Sequence, residues 1–307
     1  MVTSTPRDAD VFLRQQLDVM AQDLATQFDS DTLTFNGPLI FPVDEVVRDV
    51  VEVIRKSGKK QKLSVILTTE GGYIEVVHRI RDTLRHHYRT VDFLVPNYAY
   101  SAGTVLVMSG DAIWMNYFSR LGPIDPQIKS PSGRLVSALG YLIYYEKLME
   151  KGAAGTLNQV EAAQLMGFDL AEIADIRNAR DYSIDLLKRW LVGYKFKNWK
   201  LTETRELKVT TKMKRDRAEE IAKTLNDPDR WHSHGYGISM EELRRELKLQ
   251  IEDFGKDARL AESLIKYHGL PGGLHDEEWG CRGPTHAWTV CAVPRSCIMR
   301  GAICLSN

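Results

Sequence analysis

Leu63-Ser-Val-Ile-Leu67 runs directly into Thr68-Thr-Glu-Gly-Gly72, and this junction decides the fold. Five residues, mostly apolar and partly β-branched, read as a buried strand. Two adjacent glycines let the backbone turn sharply and leave its N–H groups uncovered. Ile74, Val77, Ile80 and Leu84 then recur at helical spacing up to about Tyr88. Val91-Asp-Phe-Leu-Val95 is a second strand, which Pro96 stops. Ser101 to Met108 is a short apolar helix opened by small residues, and Ala112-Ile-Trp-Met115 is a third strand. Strand, helix, strand, helix, strand with short connections predicts right-handed crossovers and a parallel sheet, hence an α/β fold.

Upstream, Phe12 to Phe28 carries a helical stripe of Leu13, Leu17, Met20 and Leu24, and Val43 to Ile54 repeats the pattern up to about Gly58. Downstream, 137–225 reads as mostly helical. Thr156 with Gln159, Asp169 with Glu172, and Ser239 with Glu242 are helix-start signals. Beyond Tyr267 the periodicity stops, and 270–307 is rich in Gly, Pro and Cys and matches no element template. There is no internal repeat.

The chain has 307 residues, with 41 Lys+Arg against 41 Asp+Glu, so its formal charge is zero. Overall charge therefore gives no pull toward nucleic acid or acidic membranes. No run approaches the ~18 uninterrupted apolar residues of a membrane span. The start lacks a basic stretch followed by an apolar core, so no secretory leader is expected. Cys281, Cys291, Cys297 and Cys304 all fall at the end, in no C-x-x-C spacing. A zinc site with His275 or His286 competes there with plain free thiols. A main body without cysteine suits a reducing cytosol.

Four features carry candidate chemistry. Gly71-Gly72, between a strand and a helix, offers N–H groups to an oxyanion. Ser101 in Ala99-Tyr-Ser-Ala-Gly103 sits where a nucleophile elbow would, and the N–H groups of Gly72 and Ala102 would form an oxyanion hole. The plainer reading is that Ser101 caps its helix. Asp125, in Leu121-Gly-Pro-Ile-Asp-Pro-Gln127, follows the third strand, where loops at strand carboxyl ends converge; otherwise it is a turn aspartate. Trp231-His-Ser-His234-Gly-Tyr-Gly-Ile238 holds two histidines, and a serine nucleophile needs such a base.

Taken together, Thr68-Thr-Glu-Gly-Gly72, Tyr100-Ser-Ala-Gly-Thr104, Gly110-Asp111 and Leu121–Gln127 resemble the Clp-fold serine peptidases. The nearest group is the serine dehydrogenase proteinases, relatives of ClpP and signal peptide peptidase A. Trp231 to Ile238 and the helix after it resemble that group's closing motif. The resemblance spans roughly 30–255. It implies a ClpP/crotonase-like spiral of β-α-β units with a helical insertion at about 137–225. An N-terminal helical arm would occupy 1–30, the peptidase domain 31–255, and an unassigned extension 256–307. It implies Ser101 as nucleophile with Gly72 and Ala102 as the oxyanion hole. By triad logic His234 then accepts the Ser101 proton and Asp125 orients the imidazole. His232, Lys147 and Lys151 are reserve bases. No metal or cofactor is needed. The expected substrate is a peptide or unfolded protein, and the expected state is a cytoplasmic homo-oligomer, with the Phe12–Phe28 stripe as an extra interface. Without a Walker motif, unfolding power would come from an ATPase or adaptor partner.

Two other activities fit parts of the sequence. A crotonase-like CoA-thioester enzyme would use the same paired N–H groups with Glu70 or Asp125 as base. An inactive Clp-fold scaffold would only assemble or bind peptides. Nucleic-acid contact has a weaker claim: 188–217 holds 11 Lys/Arg, interleaved with Trp190, Tyr194, Phe196 and Trp199. A solvated charged face is the plainer account of that segment.

Overall fold

The computed structural model describes residues 8–57, 60–129, 135–202, 205–272, 285–293 and 297–304. The chain forms two compact units, Met1–Leu121 with Ile238–Asn307, and Gly122–Gly237. Elements are numbered along the chain.

The first unit is built on a parallel sheet of β1 (Asp31–Asn36), β2 (Lys62–Thr68), β3 (Thr90–Leu94) and β5 (Ala112–Met115), adjacent in that order. The crossovers carry α2 (Val43–Ser57), α3 (Ile74–His87) and α4 (Ala102–Val107). The apolar spacing does what it predicts. Val43, Val47, Val50, Val51 and Ile54 of α2 are buried, as are Val76, Val77, Ile80 and Leu84 of α3. Each such side chain contributes roughly 1.5–3 kcal/mol when fully buried. Asp44 and Glu45 in the first turn of α2, with Arg55 and Lys56 in its last, complement the helix dipole.

A small second sheet joins β4 (Tyr98–Ala99), β6 (Arg120–Leu121) and β9 (Ile238–Ser239). β4 runs parallel to β6, and β9 runs antiparallel, with Leu121 opposite Ile238. The carboxyl ends of β4 and β6 and the amino end of β9 therefore share one end of this sheet. Ser239 caps α10 (Met240–Arg245) in a capping box with Glu242, as the sequence predicts.

Two expectations for the chain ends need correction. The stripe expected as a subunit interface lies on α1 (Asp8–Phe28), where Leu17, Ala21, Leu24 and Phe28 pack with Phe254, Leu260, Leu264 and Tyr267. A helical stripe signals burial but not the identity of its partner, and here α11 (Ala258–Gly272) supplies it. The tail expected to lack elements contains β11 (Thr285–Val293) and β12 (Cys297–Cys304), antiparallel to each other, with β11 antiparallel to β1. At the opposite edge β10 (Glu252–Asp253) adds in parallel beside β5. A zinc site in the tail would involve side chains outside the described residues.

The second unit opens with the hairpin β7 (Gln127–Lys129) and β8 (Leu135–Ser137). α5 (Ala138–Ala153), α6 (Gln159–Met166), α7 (Leu170–Trp190), α8 (Thr211–Leu225) and α9 (Pro228–Trp231) follow. Ala138, Leu139 and Leu142 of α5 pack with Ile173 and Ile176 of α7. Asp169 caps α7 as predicted. The box expected from Thr156 and Gln159 is made by Asn158 and Glu161 instead, two residues later, because Asn158 presents the acceptor to the Glu161 N–H. Trp190 and Phe196 are buried, so those aromatics of the basic segment serve the core and offer no stacking platform. Among the described residues no helix is long and apolar enough to cross a membrane.

Candidate functional site

In the first unit, the segment after β2 is stitched on both sides. The Thr69 N–H donates to Tyr98 O at 3.1 Å, and the Tyr100 N–H donates to Thr69 O at 2.9 Å. On the other side the Leu39 N–H donates to Gly71 O at 2.8 Å, and the Tyr73 N–H donates to Leu39 O at 2.9 Å. Both Leu39 bonds go to the residues flanking Gly72, so the Gly72 N–H points away from that pairing. Thr69 Oγ1 also accepts the Gly71 N–H at 3.0 Å.

The glycines are required there. Gly71 has φ +104° and Gly72 φ +152°. A Cβ on Gly72 would stand 2.2 Å from Leu39 O, and one on Gly71 would stand 2.8 Å from Ser101 Cβ and 3.3 Å from Ala102 N. The glycine turn thus lies directly against the start of α4. Ala102 is the first residue of that helix, where N–H groups lack an intrahelical acceptor.

Ser101 has φ 53° and ψ −123° and makes no capping hydrogen bond through its side chain. Ser101 thus stands at the N-cap position of α4, but its hydroxyl caps nothing. A non-glycine residue at such φ and ψ stores strain of order 1–3 kcal/mol, of the kind that collects at functional sites. Beside it Tyr98 and Tyr100 stack at 5.1 Å. Burial, and then the charge of Glu70, push the Tyr98 phenol up.

In the second unit, Asp125 follows the Gly-Pro-Ile turn, and its backbone is fixed by the Ile124 N–H donating to Leu225 O at 3.0 Å. The histidine loop is anchored by Trp231, buried, with its indole N–H on Thr224 O at 2.7 Å. Asp227 caps α9 through the N–H groups of Asp229 and Arg230, and His232 ends it in the left-handed region at φ 59°. The Tyr236 N–H closes the following turn on Ser233 O at 3.0 Å. These contacts bring His234 Nδ1 to 2.9 Å from Asp125 Oδ1. The side chains are 15% and 4% exposed, so the pair is largely screened from water. With Nδ1 on the carboxylate, Nε2 is the nitrogen left to exchange a proton.

The structure thus brings Asp125 together with His234 in one unit, and Gly72 together with Ser101 and Ala102 in the other. His232 is exposed and turned into a helix-ending conformation. Lys151 is ion-paired with Glu161, and Lys147 lies one turn before it on α5. Of the two carboxylates that a thioester-enolate base would require, Glu70 is exposed and Asp125 has one oxygen on His234. Leu39, which holds the glycine turn in place together with Thr69, belongs to no motif in the sequence, whereas Thr69 lies inside the Thr68–Gly72 stretch.

Residues 29–206 match the family model of ClpP-like SDH-type serine proteinases. Two proteins of Methanocaldococcus jannaschii, MJ0137 and MJ1495, both described as uncharacterized, are similar as well. The first is 27% identical over 66% of this chain and 58% of its own length. The second is 26% identical over 79% of this chain and 70% of its own length. Among solved structures, a variant of the 1510-N membrane-bound stomatin-specific protease aligns over 75% of this chain and 81% of its own, at 12% identity and TM-score 0.45. A ClpP1 variant from Listeria monocytogenes aligns over 78% and 95%, at 13% identity and TM-score 0.41.

Proposed function

Because the chain belongs to the ClpP-like SDH-type serine proteinases, with their Clp-type α/β fold, we propose that it is a serine endopeptidase acting through an acyl-enzyme on Ser101. The observation that carries this reading is the backbone of Ser101: a strained serine at a helix start, whose hydroxyl caps nothing.

In this reading Ser101 Oγ attacks the scissile carbonyl while His234 takes its proton. Asp125 holds the imidazole through Nδ1 and stabilises the imidazolium. The N–H groups of Gly72 and Ala102 receive the developing oxyanion. His234 returns the proton to the leaving amine, and water, activated by the same imidazole, then frees the acyl group. Peptides or unfolded proteins are the proposed substrates, in a cytoplasmic homo-oligomer served by an ATPase or adaptor.

Fluorophosphonate labelling of the purified protein, mapped by mass spectrometry, tests the reading. One adduct on Ser101 is expected, absent in Ser101→Ala and strongly slowed in Asp125→Asn. No adduct in a folded, assembled sample would leave an inactive scaffold. Thioester turnover without Ser101 labelling would establish the CoA enzyme instead.

A further inference from the structure

Asp125 spends one oxygen on His234. Its other oxygen, Oδ2, is buried without a hydrogen-bond partner, and so is Ser137 Oγ. Ser137 stands at the N-cap of α5, yet its side chain caps nothing. Both residues line one cavity of about 40 Å³, together with Pro228, Trp231 and the 232–234 turn. The backbone brings them there: Ser137 pairs with Gln127, two residues after Asp125, and the Ala138 N–H donates to Pro126 O at 2.9 Å.

The chemistry of the two orphaned atoms is complementary at one remove. A carboxylate oxygen only accepts, whereas a hydroxyl donates or accepts. A buried water needs roughly 10–15 Å³ of such space and two to four polar partners, and this cavity has the room and is lined by both residues. Among the described residues no group of three or more His, Cys, Asp or Glu side chains is arranged to hold a metal ion.

We propose that Ser137 is a positioning residue for the Asp125–His234 pair, holding Asp125 Oδ2 through one buried water. Fixing the second oxygen fixes the plane of the carboxylate, and with it the ring that Oδ1 orients. The proposal rests on the reading of that pair as the base of the peptidase.

A crystal structure of the full chain at about 1.5 Å would show a water within hydrogen-bond reach, about 3.2 Å, of both atoms; its absence overturns the proposal. Proton NMR supplies the second measurement, through the low-field His234 Nδ1–H signal. It should be sharp in the wild type, lost or broadened in Ser137→Ala, and retained in Ser137→Thr. Fluorophosphonate labelling of Ser101 should slow about tenfold in Ser137→Ala, as for loss of one hydrogen bond to a charged group, and recover in Ser137→Thr. An unchanged signal in Ser137→Ala would refute the positioning role while leaving the peptidase reading intact. A signal that depends on Ser137 in a protein whose Ser101 never labels would do the reverse.

Discussion

Gly72 has no side chain to contribute, and its importance lies in what a side chain would displace. Its φ of +152° and the 2.2 Å between an added Cβ and Leu39 O mean that alanine there must move backbone. The part that moves carries the N–H assigned to the oxyanion. Gly72→Ala should therefore slow Ser101 labelling about 10²-fold, the scale of losing one oxyanion donor. Labelling of Gly72→Ala at the wild-type rate would remove Gly72 from the oxyanion hole. Residues of this kind are legible in sequence because their types are restricted: few residues but glycine tolerate such φ values, and a serine opening a small-residue helix stands out. The bracing role of Thr69, inside a stretch read for its glycines, and the role of Ser137 are not legible. Their roles come from backbone pairing that places Thr69 against Tyr98 and Tyr100, and Ser137 opposite Gln127, and no local pattern encodes either.

At the scale of elements, the strands that read clearly are those whose buried residues are mostly apolar. β2, β3 and β5 appear as short apolar runs, which is how a parallel sheet writes itself. β1 does not, because Asp31, Thr32 and Thr34 are buried polar residues. Asp31 accepts from the Tyr88 hydroxyl at 2.9 Å, and Thr34 Oγ1 shares a hydrogen bond with the Tyr267 hydroxyl at 2.8 Å. Such strands need partners that sequence order does not reveal. α11 is one of these partners, and it also clamps α1. Leu24, 1% exposed in that contact, should cost about 2–5 kcal/mol when cut to alanine, measured as a shift in urea midpoint; a loss below this range would show that the clamp is dispensable. The same helix carries His268, whose Nε2 lies 2.9 Å from Thr68 Oγ1. Burial holds its imidazole below the ordinary value, whereas in the unfolded chain it returns to about 6.5. Below that pH the unfolded chain binds more protons than the folded one, so this contribution is full above about 6.5 and is lost as pH falls. His87, also lowered chiefly by burial, adds to the slope. Urea midpoints at pH 7.5 and 5.5 should therefore drop less in His268→Gln than in the wild type, and an equal drop would discount His268.

For the whole molecule, the decisive feature is that the second unit enters and leaves through paired neighbours. Leu121 and Ile238 face each other across β6 and β9, and everything between them, Gly122–Gly237, forms a unit of its own. No glycine- or serine-rich linker marks either junction. Both fall inside motifs, Leu121-Gly-Pro-Ile-Asp125 and His234-Gly-Tyr-Gly-Ile238, so composition shows helices from 137 onward but not where the unit begins. An antiparallel pair of adjacent strand ends needs only a two-residue Asn-Gly turn to close it. Replacing Gly122–Gly237 by Asn-Gly should leave a chain that unfolds cooperatively and retains the parallel sheet, read by circular dichroism and urea titration. It keeps Ser101, Gly72 and Ala102 but lacks Asp125 and His234. If the base resides in the second unit, Ser101 in this shortened chain no longer takes a fluorophosphonate. Labelling at the full-length rate would instead send the search for the base back to the first unit, where His78, His86, His87, His268 and His286 are the described histidines. A chain without a cooperative transition would show that the first unit does not fold without residues 122–237.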